Sequence, residues 1–266
     1  MTLNIRTFGA GPRQAVALHC SLAQGGAWAG VAAGLPGVAL HAPDLPGHGR
    51  SPDWDRQGDL HDATTRAVLA LLTGAPVDLI GHSFGATVAL RIALERPDLV
   101  RTLTLVEPVL FAAAKAAGSP AYAAFHALSA PFDAEFRSGH KRKAAEAFQA
   151  VWGGDVALSQ MPLHLQTYIT DRIDLIPAGF PALDGDSAGL LGHGRLEALG
   201  LPVLLLEGAQ SPAVIGAIQH ELARRLPQAR RLRVAGAAHM LPITHPAEVA
   251  RAIAELMAAA AATSLS

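Results

Sequence analysis

The sequence predicts an α/β protein: a mostly parallel central sheet, helices on both faces and an inserted helical cap. Three observations predict it. Short runs such as Val203-Leu204-Leu205-Leu206 are apolar nearly throughout, as strands covered on both faces are. Longer helical patterns lie between them, the order of an α/β sheet. The alternation then stops after Pro108, and from about 111 to 193 helical patterns, aromatics and prolines continue without a core strand.

Taken in order, Met1 to Phe8 alternates like a strand, and Val16-Ala17-Leu18 reads as a strand running into a loop at His19-Cys20-Ser21. Further strands are expected at Val38-Ala39-Leu40, Val77 to Ile80, Leu103 to Val106, Val203 to Leu206 and Arg231 to Val234. Helices are expected at roughly 59–73, 85–95, 213–225 and 247–260. Within the interruption, Ala112 to Ala130, Phe132 to Trp152 and Pro162 to Ile176 carry helical patterns. A structureless connection of that length is disfavoured. The division expected is therefore a core of residues 1–110 and 194–266 and a cap of residues 111–193.

The chain has 266 residues, 50% hydrophobic and 16% charged, enough for one large core with a cap. A formal net charge of -1 argues against nucleic-acid binding, which needs concentrated Lys and Arg. The run Lys141-Arg142-Lys143 reads as one polar turn of a helix face. One cysteine, Cys20, allows neither an internal disulfide nor a multi-cysteine zinc site. No metal or cofactor is expected. The N-terminal residues do not resemble a signal peptide, and no uninterrupted apolar stretch reaches transmembrane length. The expectation is a cytoplasmic protein that meets a small molecule rather than a membrane or nucleic acid; its oligomeric state is not encoded in these patterns.

The central signal is Gly81-His82-Ser83-Phe84-Gly85, a G-x-S-x-G turn between an apolar strand and an apolar helical pattern. A serine at that turn projects its hydroxyl away from the sheet, and the flanking glycines let the backbone double back. Ser83 is the expected nucleophile. The N–H of Phe84, opening the helix, is the first expected oxyanion donor. The second is expected from the loop after the early strand, with Ser21 N–H the first choice and Leu22 N–H the alternative. Cys20 reads as a small side chain near the turn, since nothing there suggests a poised thiolate.

A general base must reach Ser83. Ala237-Ala238-His239 follows the last strand and precedes the final helix, so His239 can arrive at the sheet edge where Ser83 emerges. The chain has 12 histidines. Its competitors are His19, His48, His82, inside the turn and pointing elsewhere, and His245, at a helix start.

At these residues the chain resembles the α/β-hydrolase fold superfamily, in its cap-bearing esterase and dehalogenase-like branch. The matching pieces are His19, Asp44-Leu45-Pro46-Gly47-His48-Gly49-Arg50-Ser51, Gly81 to Gly85 and Gly236-Ala237-Ala238-His239. The resemblance spans nearly the whole chain, with two departures. The first oxyanion loop reads His19-Cys20 where the family usually has His-Gly. The loop after Val203 to Leu206, where the family usually carries its acid, reads Glu207-Gly208-Ala209-Gln210-Ser211, so Ser211 stands at the acid position without a charge.

An alternative acid follows the strand after the nucleophile turn: Glu107, directly beyond Leu103 to Val106. Some dehalogenase-like members place a carboxylate there, and the resemblance carries that role to Glu107. The sheet supports it, because the end of that strand lies on the same edge as Ser83. Asp184, Asp186 and Glu207 are reserve carboxylates, and Asp44 reads as an organiser of its loop.

The expected chemistry is hydrolysis of a small or medium carboxylic ester through an acyl-enzyme, by Ser83, His239 and Glu107. The same groups can serve carbon–carbon, lactone or peracid-forming chemistry. A receptor or scaffold that kept the pocket but lost catalysis is the rival class. Trp28, Phe111, Tyr122, Phe125, Phe136, Trp152 and Tyr168 are the candidate pocket residues.

Overall fold

The computed structural model describes residues 1–154 and 156–263. Among these residues seven strands form one sheet: β1 (Ile5–Phe8), β2 (Arg13–Leu18), β3 (Val38–Pro43), β4 (Val77–His82), β5 (Val100–Val106), β6 (Val203–Gly208) and β7 (Ala229–Val234). Their order is β1-β3-β2-β4-β5-β6-β7. Only β1 runs antiparallel to its neighbour, pairing Ile5 with Pro43 and Phe8 with Leu40. The remaining ladders are parallel, so the C-terminal ends of β2 and β4 to β7 share one edge.

The helices are α1 (Ala29–Ala33), α2 (Leu60–Leu69), α3 (Phe84–Glu95), α4 (Phe111–Ala116), α5 (Pro120–Arg137), α6 (Lys141–Trp152), α7 (Leu163–Arg172), α8 (Leu175–Leu183), α9 (Ala213–Arg225), α10 (Leu241–Thr244) and α11 (Pro246–Thr263). The pleat divides the core. Leu79, Leu103, Leu105, Val203 and Leu205 pack with Val68 of α2, Val88 and Ile92 of α3 and Ile215 and Ile218 of α9. Ile80, Val106, Leu204 and Leu206, one residue out of phase, pack with Val31 of α1 and Val249 and Ile253 of α11. Each fully buried side chain of this kind contributes roughly 1.5–3 kcal/mol. Both faces are thus covered, which is why these strands read as apolar runs.

Helices α4 to α8 lie between β5 and β6 in sequence. Phe132, Ala144, Ala145, Leu158, Ile169, Ile173 and Ile176 give this insertion an apolar cluster of its own. Its helix boundaries differ from those read in the sequence. The break falls at Gly118 and Ser119 rather than Pro131, because Gly118 adopts φ 62 and Ser119 caps α5 through the Ala121 N–H. Pro131 stays inside α5 on its exposed side, where water can satisfy the carbonyl left without a donor. Among the described residues no helix is long and apolar enough to cross a membrane.

The loop after β3 is organised by a buried carboxylate. Asp44 accepts from Gly25 N–H at 2.7 Å, Asn4 Nδ2 at 2.8 Å and Arg50 N–H at 2.9 Å. Burial opposes its ionisation, but these donors outweigh burial and hold the carboxyl below its usual range. At the opposite strand end, buried Asp78 is paired with Arg13 at 2.6 Å and Arg101 at 2.8 Å.

Candidate active site

Ser83 occupies the turn from β4 into α3 with φ 55 and ψ −117, a backbone conformation that non-glycine residues seldom adopt. Its N–H donates to the Val106 carbonyl at 2.9 Å, and its own carbonyl accepts from Ala86 N–H at 3.0 Å. A Cβ on Gly85 would stand 2.5 Å from the carbonyl oxygens of Leu18 and His19, so glycine is required where the turn crosses β2.

His239 arrives from the loop after β7. That loop is tied to the one after β6 by Ala209 N–H to Val234 O at 2.9 Å and Gln210 N–H to Ala237 O at 2.8 Å. His82, beside the nucleophile turn, donates from Nε2 to the His239 carbonyl at 2.8 Å. The His239 ring places Nδ1 2.8 Å from Glu107 Oε2. The Glu107 oxygen accepts in this contact, so Nδ1 donates, and Nε2 has no hydrogen-bond partner among the described residues. Trp152, at the end of α6, stands edge to face with this ring at a centroid distance of 4.6 Å.

Glu107 is fully buried just beyond β5, where φ 49 turns the chain out of the sheet. Its N–H donates to Leu206 O at 2.8 Å. Its Oε1 accepts from Gly208 N–H at 2.6 Å and from Ser211 Oγ, also at 2.6 Å. The residue at the usual acid position therefore donates to the carboxylate that lies against the histidine. The reserve carboxylates are engaged elsewhere. Glu207 pairs with Arg231 at 2.6 Å, Asp184 accepts from Tyr122 at 2.8 Å, and Asp186 accepts from Leu190 and Leu191 N–H at 2.7 and 3.0 Å.

The two loop donors separate clearly. Leu22 N–H is taken by His48 Nε2 at 3.0 Å. The N–H groups of Ser21 and Phe84 have no hydrogen-bond partner among the described residues. His48 donates from Nδ1 to Pro46 O at 2.9 Å, and His19 donates from Nδ1 to Cys20 O at 2.7 Å while its Nε2 accepts from Leu45 N–H at 2.9 Å. Burial lowers their pKa values to about 3 for His48 and about 4 for His19, so both are neutral scaffold groups. Burial likewise pushes Cys20 up to about 12, far from a poised thiolate.

Ser83 and His239 line a cavity of about 340 Å³ between the sheet edge and the insertion. Of the candidate pocket residues, Phe111, Phe125 and Trp152 line it, with Phe111 and Phe125 stacked at 4.2 Å. The other four candidates do not. Trp28 is buried in the cluster on the α1 and α11 side of the sheet. Tyr122 is held by Asp184, and Phe136 stacks on Phe132 at 5.8 Å within the insertion. Tyr168 accepts from Gly49 N–H at 2.8 Å and donates to Ala23 O at 3.1 Å, fastening α7 to the core loops. Much of the lining is aliphatic or from positions the sequence did not single out, including Phe132, Ile169, Ile176, Phe180 and Ile243. Such residues carry no signal that separates a cavity wall from a core.

Residues 16–246 match the family model for the alpha/beta hydrolase fold. The chain belongs to the α/β-hydrolase fold family. Among its α/β-hydrolase relatives, a pimeloyl-(acyl-carrier protein) methyl ester esterase of Chromobacterium violaceum is 29% identical over 96% of this chain and 98% of that protein. The enzyme of the same name from Neisseria meningitidis serogroup B is 30% identical, over 77% of each chain. Lipase LipV of Mycobacterium tuberculosis is 39% identical over 41% of this chain, a match spanning 42% of that lipase. In structure, a haloalkane dehalogenase from Agrobacterium tumefaciens superposes with a TM-score of 0.74 at 24% identity, covering 96% of this chain and 93% of that one. That likeness is one of fold.

Proposed function

We propose that this α/β-hydrolase is a serine ester hydrolase in which Ser83 is the nucleophile, His239 the general base and Glu107 the acid that orients His239. The observation that carries the reading is the 2.8 Å contact between His239 Nδ1 and buried Glu107, on a ring that shares its cavity with Ser83. His239 Nε2 takes the Ser83 proton as Oγ attacks the ester carbonyl. The N–H groups of Phe84 and Ser21 receive the oxyanion. His239 then protonates the leaving alkoxide, and the acyl group remains on Ser83. Water, deprotonated by His239, releases the acid and restores the serine.

Residues 111–193 act as a cap over a core of residues 1–110 and 194–266, and the cavity below takes the apolar part of a small-molecule ester. Esterase and lipase names among the relatives support this class. A fluorophosphonate probe followed by intact-protein mass tests it. The expected result is one adduct on the wild type and none on folded S83A. Labelling of S83A at an equal rate contradicts the assignment.

A further inference from the structure

We propose that Ser211 is a positioning residue of this hydrolase, whose hydroxyl fixes the Glu107 carboxylate against His239. This inference rests on the triad proposed above. Glu107 belongs to the end of β5 and Ser211 to the loop after β6, so two separate strand ends meet at one carboxyl group. The division of its oxygens is complete. Oε2 faces His239 Nδ1 at 2.8 Å, while Oε1 takes the Gly208 N–H and the Ser211 hydroxyl at 2.6 Å each. A glutamate has one more rotatable bond than an aspartate, and a carboxylate can turn about its last bond. With Oε1 held by two donors from different directions, that rotation is stopped and Oε2 stays on the histidine.

The environment adds weight to the hydroxyl. Glu107 is fully buried, where an unsatisfied carboxylate lone pair is costly and a charge-assisted bond is strong. The loop carrying Ser211 is itself anchored. Ser211 N–H donates to Gly208 O at 3.3 Å, and a Cβ on Gly208 would stand 2.5 Å from Ala237 O. The support for the acid is therefore built into the same contact that brings the His239 loop against β6. Where this chain lacks a carboxylate at the usual position, it has a donor aimed at the carboxylate in the other one.

The pH dependence separates positioning from simple packing. A change confined to packing leaves the pH dependence of kcat/KM in place, whereas losing a donor to this carboxylate leaves more of its negative charge facing His239. The experiment compares kcat, KM and the acid limb of kcat/KM against pH for wild type, S211A, S211T and E107Q, on a p-nitrophenyl ester, with circular dichroism as the folding control. In S211A, kcat is expected to fall roughly 3- to 10-fold with KM little changed, and the acid limb is expected to move to higher pH. S211T keeps a hydroxyl and is expected to restore both. An S211A enzyme with wild-type kcat and acid limb overturns the inference. So does S211T as impaired as S211A while both are folded. If E107Q keeps near-wild-type turnover, the underlying triad fails; if E107Q is inactive but S211A is unchanged, only the role of Ser211 fails.

Discussion

Asp44, Asp78 and Glu107 are each fully buried, and each is surrounded by donors from distant parts of the chain. Ser83 was legible because its requirement is local: two glycines and a strand-to-helix junction within five residues. The placement of Glu107 at the Ser83 edge was legible because a strand end fixes its edge of the sheet, while the role expected of it came from the family resemblance. The hydroxyl that holds Glu107 was not, since Ser211 lies 104 residues further along and only tertiary pairing joins them. The histidines divide by burial in the same way. Desolvation lowers His19 and His61 to about 4 and His48 to about 3, against 6.5 for the free side chain. Above pH 6.5 these groups are neutral both folded and unfolded. As pH falls below that value the unfolded chain binds protons that the folded chain refuses, so stability is lost progressively toward pH 4 and 3. The slope approaches ~1.4 kcal/mol per pH unit for each such histidine. Urea unfolding at pH 7 and pH 5 is expected to show a clear loss at pH 5, and H48Q a shallower dependence. Equal wild-type stability at both values contradicts the burial of these rings.

At the scale of elements, every strand read from the sequence is present, because apolar runs of strand length between helices leave few alternatives. The strand direction was less legible: β1 alternates, as a strand with one exposed face does, and it is the antiparallel edge. The four helices expected around the sheet begin and end within a few residues of their bounds, except that α2 stops at Leu69, and the short α1 was not read from the sequence. The insertion was harder. Its helices pack on one another and on the sheet edge, and a proline in an exposed helix position looks in sequence like a break. The six aromatics of the insertion singled out in the sequence divide equally between cavity wall and other roles. Phe111, Phe125 and Trp152 face the cavity, whereas Tyr168 uses its hydroxyl to tie α7 to the loops beneath it.

For the whole molecule, the parallel sheet brings the ends of β4, β5 and β7 to one edge, and α4 to α8 enclose the space above it. The cavity is lined mostly by apolar side chains, which sets an expectation for substrate length. Across p-nitrophenyl esters of increasing acyl chain, kcat/KM is expected to rise about fourfold per methylene until the cavity is filled, then to fall. No dependence on chain length contradicts the cavity as the place of the ester's apolar part. The convergence of three strand ends also makes one substitution decisive. E107Q keeps the size of the side chain but removes its charge from His239. Its steady-state turnover on a p-nitrophenyl ester, in protein with a wild-type circular dichroism spectrum, is expected to fall on the order of 10³- to 10⁴-fold. Turnover within a few fold of wild type contradicts a triad completed from the end of β5.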